Sequence, residues 1–251
     1  MSGLQLDRAT TADQRHDAWI RVVKRIADEH IAQAWRHQMF RLVRRVFNTN
    51  RQLSDEGGFL FNWMAENYIE AALMLVRREL DLASKTENLR HLLEDIVEHP
   101  DVLTRARYLA SWGGQDAEQA SRSFSIFALV KNGTPSEDHI DPVAVKADLE
   151  KAAEDGERVR VFAERTRAHR QKEKGLDKTL TFRDLHGAIA DLREVIAKYY
   201  LLLTQASIHS WELTAQYDTV TPFLKPWVTD RRTLAAAEDE GAGYNSNPAG
   251  A

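Results

Sequence analysis

Thr181–Leu213, TFRDLHGAIADLREVIAKYYLLLTQASIHSWEL, is the stretch on which the fold turns. Leu185, Ile189, Leu192, Ile196, Tyr199, Leu203, Ala206, Ser210 and Leu213 recur on one face at helical spacing, and Val195 and Leu202 widen it. Thr181 and Asp184 stand as N-cap and N3, an approximate capping box with Asp in place of Glu. A helix with one broad apolar stripe needs other helices to bury it, so the rest of the chain is read for partners.

Upstream, Thr10 or Thr11 caps a helix whose stripe runs Trp19, Val23, Ile26, His30, Ala34 and on through Met39, Leu42, Val43, Val46 and Phe47, stopping at Asn48-Thr49-Asn50. Unbroken from 12 to 47 it spans ~54 Å, so a bend near His30 to Ala34 is expected. Ser54, Asp55 and Glu56 read as the acidic start of a second helix bearing Trp63, Ile69, Leu73, Val76 and Leu80, ended by Asp81-Leu82-Ala83-Ser84. A third runs from Thr86 through Leu89, Leu92, Leu93, Ile96 and Val97 and closes at His99-Pro100, because the residue before proline avoids helical torsions.

A short helix over 101–111 ends at Gly113-Gly114. In 116–130, Ala120, Phe124 and Phe127 suit a helix; Phe124 to Val130 would tolerate a strand, and context favours helix. Asn132 to Ser136 is a loop, and Asp141-Pro142 opens a long helix with Val145, Leu149, Ala152, Val159, Phe162, Thr166 and His169 on its stripe and Gly156 as a weak point. Gly175-Leu176-Asp177 breaks it. Pro222 and Pro226 end ordered helix, with Phe223 and Trp227 placed to pin the chain back. The expected architecture is all-α, a bundle of several long amphipathic helices: a flexible start over 1–10, one helical domain over 11–228 and a disordered tail over 229–251.

Hydrophobic residues at 43% and charged residues at 29% suit such a bundle. With no cysteine the chain has no disulfide, thiolate nucleophile or cysteine-ligated metal. The start lacks the pattern of a signal peptide, and no apolar run approaches the roughly 20 residues of a membrane helix. A cytoplasmic protein without membrane attachment is expected. Net charge is −4, but between Arg15 and Arg51 nine basic residues face three acidic ones, a local net of +6. That run is either a solvated face or a phosphate-facing surface.

Among the nine histidines no Glu-x-x-His pair of a di-iron bundle and no HExxH occurs. Glu29-His30 with His37, or Glu94, Glu98 and His99, would form a metal site only if the fold gathered them. No metal or cofactor is expected. No nucleophile elbow, Walker loop or dinucleotide fingerprint is present. The best local constellation is Arg165-Thr166-Arg167-Ala168-His169-Arg170. Arg165 and His169, four apart, project to one side of their helix, and Arg167 and Arg170 add positive charge suited to a polyanion. The other reading of His169 is a packed histidine hydrogen-bonded near a helix end.

VFAERTRAHRQ, TLTFRDLHGAIADLREVIAKYYLLLTQASI and PFLKPW resemble the C-terminal half of bacterial abortive-infection proteins of the AbiU type, a branch of the HEPN superfamily. LVRRELDLASKTENLRHLLEDIVEHPDVL resembles their middle section and SEDHIDPVAVKADL the start of their long helix, so the likeness covers about 60–228. The resemblance implies a helical bundle, often dimeric, whose catalytic members are metal-independent ribonucleases with an arginine, four to six residues, then a histidine.

His169 matches that histidine. Glu164, Ala163 and Phe162 occupy the positions with four, five and six intervening residues, and Arg165 leaves only three. With Arg165 as substitute, the implied reaction is attack of a ribose 2′-hydroxyl on the adjacent phosphate, His169 moving the proton and Arg165 or Arg167 stabilising the phosphorane. Arg167, Arg170, Arg77 and Arg78 are then RNA-binding candidates and Asp81 supports the site. Implied partners are RNA, a second copy of the chain and a small antitoxin-like protein, in phage defence or a toxin–antitoxin pair. The alternatives are a non-catalytic interaction or sensing module and, less favoured, a small-molecule-binding bundle.

Overall fold

The computed structural model describes residue 6 and residues 11–83, 86–112, 117–128, 139–164, 180–212, 214 and 221. Among them lie eight α-helices, a 3-10 turn at Pro100–Val102 and no strand, the one β pairing being an isolated bridge between Thr104 and His139. The all-helical architecture read from the sequence is the one found.

Helix α1 (Ala12–Thr49) is the axis. Thr11 and Gln14 close a reciprocal capping box, with Gln14 N donating to Thr11 Oγ1 at 3.2 Å and Thr11 N to Gln14 Oε1 at 3.3 Å. The helix runs without a break through His30 to Ala34. Trp19, Val23, Ile26, His30 and Ala34 are buried as the spacing required. Helices α3 (Gly58–Glu79), α4 (Leu89–Glu98) and α8 (Phe182–Thr204) pack against α1, and α7 (Pro142–Ala163) covers α3, α4 and α8.

Helices α5 (Arg105–Ser111) and α6 (Ala117–Ala128) pair with each other, and Phe124 is fully buried. Leu6 also packs into the core. Asp141 caps α7 by accepting from Val143 N at 3.0 Å, with Pro142 in the first turn. Thr181 and Asp184 form the capping box of α8.

Boundaries differ from the sequence reading in three places. Residues 51–56 form a short helix, α2, because Asn50 caps it and accepts from Leu53 N at 3.1 Å; the acidic 54–56 stretch therefore ends α2 instead of opening α3. Gly57 joins the two, where a methyl group would stand 2.5 Å from the Leu53 carbonyl oxygen. Trp63 faces solvent, 55% exposed, because the stripe of α3 that meets α1 is centred on Tyr68, Ala72, Leu73 and Val76.

Helix α4 begins at Leu89, not Thr86: the Asn88 side chain accepts from His91 N at 2.9 Å, while Thr86 donates to the Ala83 carbonyl at 2.9 Å. Helix α8 stops at Thr204, where Gln205 turns left-handed at φ 54°, so Ala206 and Ser210 lie beyond it. That turn returns Trp211 to the bundle, against the core. Gly156, a weak point by propensity, sits where a methyl would meet Leu80 Cδ1 at 2.3 Å, and it lets α7 approach the end of α3.

Gly113-Gly114, the 132–136 loop, Gly175–Asp177, Leu213, the Pro222–Trp227 segment and the 229–251 tail lie outside the described residues. No helix among the described residues is long and apolar enough to cross a membrane.

Candidate functional site

Arg165, Arg167, His169 and Arg170 lie outside the described residues. The helices flanking them are described: Arg158 donates to Asp184 at 3.0 Å, so the last turns of α7 lie beside the first turn of α8. Arg77, Arg78 and Asp81 sit at the C-terminal end of α3. Arg78 is paired with Glu29 of α1 and stands 3.8 Å from the buried Glu79. Asp81 accepts from Ala83 N at 3.1 Å through its carboxylate and from Asn88 Nδ2 at 3.0 Å through its carbonyl. These groups hold the corner between α3 and α4. Glu79 completes it by accepting from Leu89 N at 3.0 Å. Burial raises its carboxyl to about 7, although that hydrogen bond and Arg78 pull the other way.

A different cluster forms where α1, α3 and α8 meet. His30, Gln33, His37 and Phe40 recur on α1 at three- and four-residue intervals, as do Phe182, His186, Ile189 and Arg193 on α8, so each set shares one face. The helices run antiparallel. Phe40 therefore meets Phe182, His37 meets His186, and the His30 carbonyl accepts from Arg193 Nη2 at 2.9 Å. Tyr68 arrives from α3, sharing a 2.7 Å hydrogen bond between its Oη and His186 Nε2. Gln33, His37, Tyr68, His186, Ile189 and Arg193 line a pocket of about 100 Å3. That is the share of about three liquid waters, room for a phosphate group.

The protonation states follow from burial and nearby positive charge. Burial, then His186, Arg41 and Arg193, lower His37 to about 4, with Glu212 opposing. Burial and Arg193 also lower His186, and burial raises Tyr68 to about 12 against the pull of Arg193. Near neutrality the site therefore holds two uncharged imidazoles, 4.4 Å apart between ring centroids, a protonated phenol and a guanidinium. Deeper in, His30 is fully buried, lowered to about 3 by burial, Arg193 and Arg78. Both of its ring nitrogens, and Gln33 Nε2, lack a hydrogen-bond partner among the described residues. Trp211 closes that end, 5.4 Å from the Arg193 guanidinium.

The sequence reading placed His30 on the apolar stripe and missed His186 and Arg193, which look like ordinary polar positions until α8 is docked on α1. It also passed over Arg25-Ile26-Ala27-Asp28-Glu29-His30, which has the spacing of an arginine, four residues and a histidine. Residues five apart on a helix point about 140° away from each other. Here Arg25 donates to the Glu87 carboxylate at 2.7 Å and to its carbonyl at 2.5 Å, while His30 faces the core. The two side chains do not converge within this chain.

Asp95, Glu98 and His99 are the one group among the described residues whose ligand atoms lie close enough for a metal ion, within 4.8 Å. Asp95 is already engaged by Arg15 and by Trp19 Nε1 at 2.6 Å. It is a strut between α1 and α4. A cation there would compete with Arg15 for the same carboxylate.

A helical bundle with a polar pocket enclosed by three of its helices is thus the class defined by fold and site. A family model described as AbiU2, of the HEPN group, matches residues 16–221, and the chain belongs to that family. The match takes in α1, upstream of the region where the resemblance was read. No curated protein matches the chain, and no solved structure does.

Proposed function

We propose that this protein acts on RNA as a metal-independent endoribonuclease, in phage defence or a toxin–antitoxin pair, with 11–228 working as one helical domain. The observation that carries the reading is the pairing of His37 with His186, both held neutral, beside Arg193 and Tyr68 in a phosphate-sized pocket. An unprotonated imidazole has a lone pair free to take a proton, and a bound phosphate's negative charge raises its basicity from that lowered value. A half-buried guanidinium neutralises the charge that builds on a phosphorane.

In this mechanism one imidazole takes the proton of the ribose 2′-hydroxyl as its oxygen bonds to phosphorus. The P–O5′ bond breaks, and the Tyr68–His186 pair delivers a proton to the leaving oxygen. The products are a 2′,3′-cyclic phosphate and a 5′-hydroxyl end. Arg165 and His169 form the competing constellation, with Arg167, Arg170, Arg77 and Arg78 as RNA contacts and Asp81 in support. A homodimer and a small antitoxin-like partner belong to the same reading.

Cleavage of single-stranded RNA in EDTA is the test. His37→Ala and His186→Ala should each reduce the rate by about 10²–10⁴ with little change in melting temperature. Loss of activity in His169→Ala with both pocket variants unaffected moves the chemistry to the 165–170 constellation. A wild-type protein that cleaves no RNA leaves a non-catalytic binding module.

A further inference from the structure

Beside the histidine pocket lies a second, larger opening. Trp35, Met39 and Phe40 of α1 and Trp63, Met64 and Tyr68 of α3 line an apolar groove of about 500 Å3, within the range of small-ligand pockets and large enough for a nucleobase with its ribose. Tyr68 lines both spaces: its hydroxyl reaches His186, while its ring stacks on Phe40 at 4.6 Å and 4° between planes. Trp63, an aromatic residue on a half-apolar helix, would ordinarily be covered, yet it is 55% exposed at the groove's edge.

The groove's surroundings are basic. Arg36 lines it, and Trp35 and Met39 continue into a neighbouring depression of about 290 Å3 that also holds Arg41 and Arg45, with Glu212 3.8 Å from Arg41. Aromatic faces interleaved with arginines, divided by the single Tyr68 side chain from a phosphate-sized polar pocket, are what a flexible polyanion with stacking bases requires. A second copy of the chain fits less well. A two-fold contact centred here would bring the Arg36, Arg41 and Arg45 edges of the two subunits toward one another, and like charges brought together oppose association.

We infer that this groove takes one unpaired nucleobase of single-stranded RNA, stacked beside Trp63, and so presents the adjoining phosphate to His37, His186 and Arg193. The inference rests on the RNA-directed reading and adds to it a base-seating groove at Trp63, which a base held in a duplex cannot enter.

Binding of a short fluorescein-labelled 2′-O-methyl oligouridylate, which has no free 2′-hydroxyl to react, is measured by anisotropy against a duplex of the same length. Trp63→Ala should weaken the single strand by roughly tenfold and leave duplex binding unchanged, since one base–aromatic stack contributes on that scale. Trp63→Phe should restore most of the loss. Placing an abasic nucleotide at the seated position should match the effect of Trp63→Ala, and combining the two should add nothing.

Both variants should melt with the wild type, because Trp63 is already largely in solvent. Unchanged single-strand affinity in Trp63→Ala overturns the inference. So does a dimer that Trp63→Ala converts to monomer in light scattering without altering RNA affinity. A wild-type protein with Trp63-dependent binding but no cleavage keeps the groove and removes the nuclease reading, whereas one that binds no single strand removes both.

Discussion

The α3–α4 corner and the α1–α3–α8 pocket both place polar side chains in the interior, and they treat them in opposite ways. At the corner every group used has its partner: Glu79 accepts from Leu89 N, Asn88 accepts from His91 N and donates to the Asp81 carbonyl, and Arg78 pairs with Glu29. In the pocket His30 and Gln33 retain unmatched atoms among the described residues, and His37 and His186 are held below their ordinary range. Buried polar groups in native proteins are normally satisfied. A satisfied network closes a helix junction; the one beside the opening leaves donors and acceptors unused among the described residues.

The comparison breaks most sharply in the activity assay. Substituting His37 or His186 should remove two to four orders of magnitude of cleavage with stability nearly intact, whereas Asp81→Ala at the corner should leave cleavage unaffected. A loss of activity without a loss of stability in Asp81→Ala would erase the distinction.

Glu79→Ala should lower unfolding stability in urea by about 1–3 kcal/mol, since it strands a buried backbone N–H at the start of α4. Glu79→Gln, which keeps an acceptor, should recover much of it. Equal losses in the two variants would mean that the carboxylate's charge, not its hydrogen bond, holds the corner.

The two regions should also tilt stability in opposite directions with pH. His30 and His37, at about 3 and about 4 when folded against 6.5 when unfolded, bind protons more weakly in the native state. Their contribution is complete above pH 6.5 and is lost as pH falls toward those values. Glu79, raised from 4.5 to about 7, does the reverse: its contribution is complete below pH 4.5 and is lost as pH rises through 7. Denaturation midpoints across this range should show His37→Gln flattening the acid side and Glu79→Gln the neutral side. Opposite assignments would refute the burial argument.

The smallest effect belongs to the rim. Glu212 lies 3.8 Å from Arg41, both exposed, and raises the His37 value. Glu212→Gln should move the His37 imidazole titration, followed by NMR, to still lower pH, with no measurable change in stability. A shift upward would remove Glu212 from the electrostatics of the pocket.

Much of the bundle was legible because its signals are local. The caps at Thr11, Asp141 and Thr181 and the stripes of α1, α7 and α8 depend on residues within a few turns of one another. Errors arose where two local signals competed, as when Asn50 capped a helix ahead of the acidic start read at Ser54, or where periodicity outran the helix, as at Gln205. The site was harder to read. His37 and His186 are separated by most of the chain, and nothing near either one announces the other.

The sequence by itself determined an all-helical chain without cysteine chemistry, a basic first helix and membership in a HEPN family, since composition, period and motif resemblance are written along the chain. Only the tertiary structure decided which histidines face each other, that Trp63 borders an open groove, and that Arg78 and Asp81 hold a corner. Those facts depend on the antiparallel register of α1 against α8 and on the docking of α3 beside them. That register is set by how whole apolar faces interlock, so no short stretch of sequence encodes it.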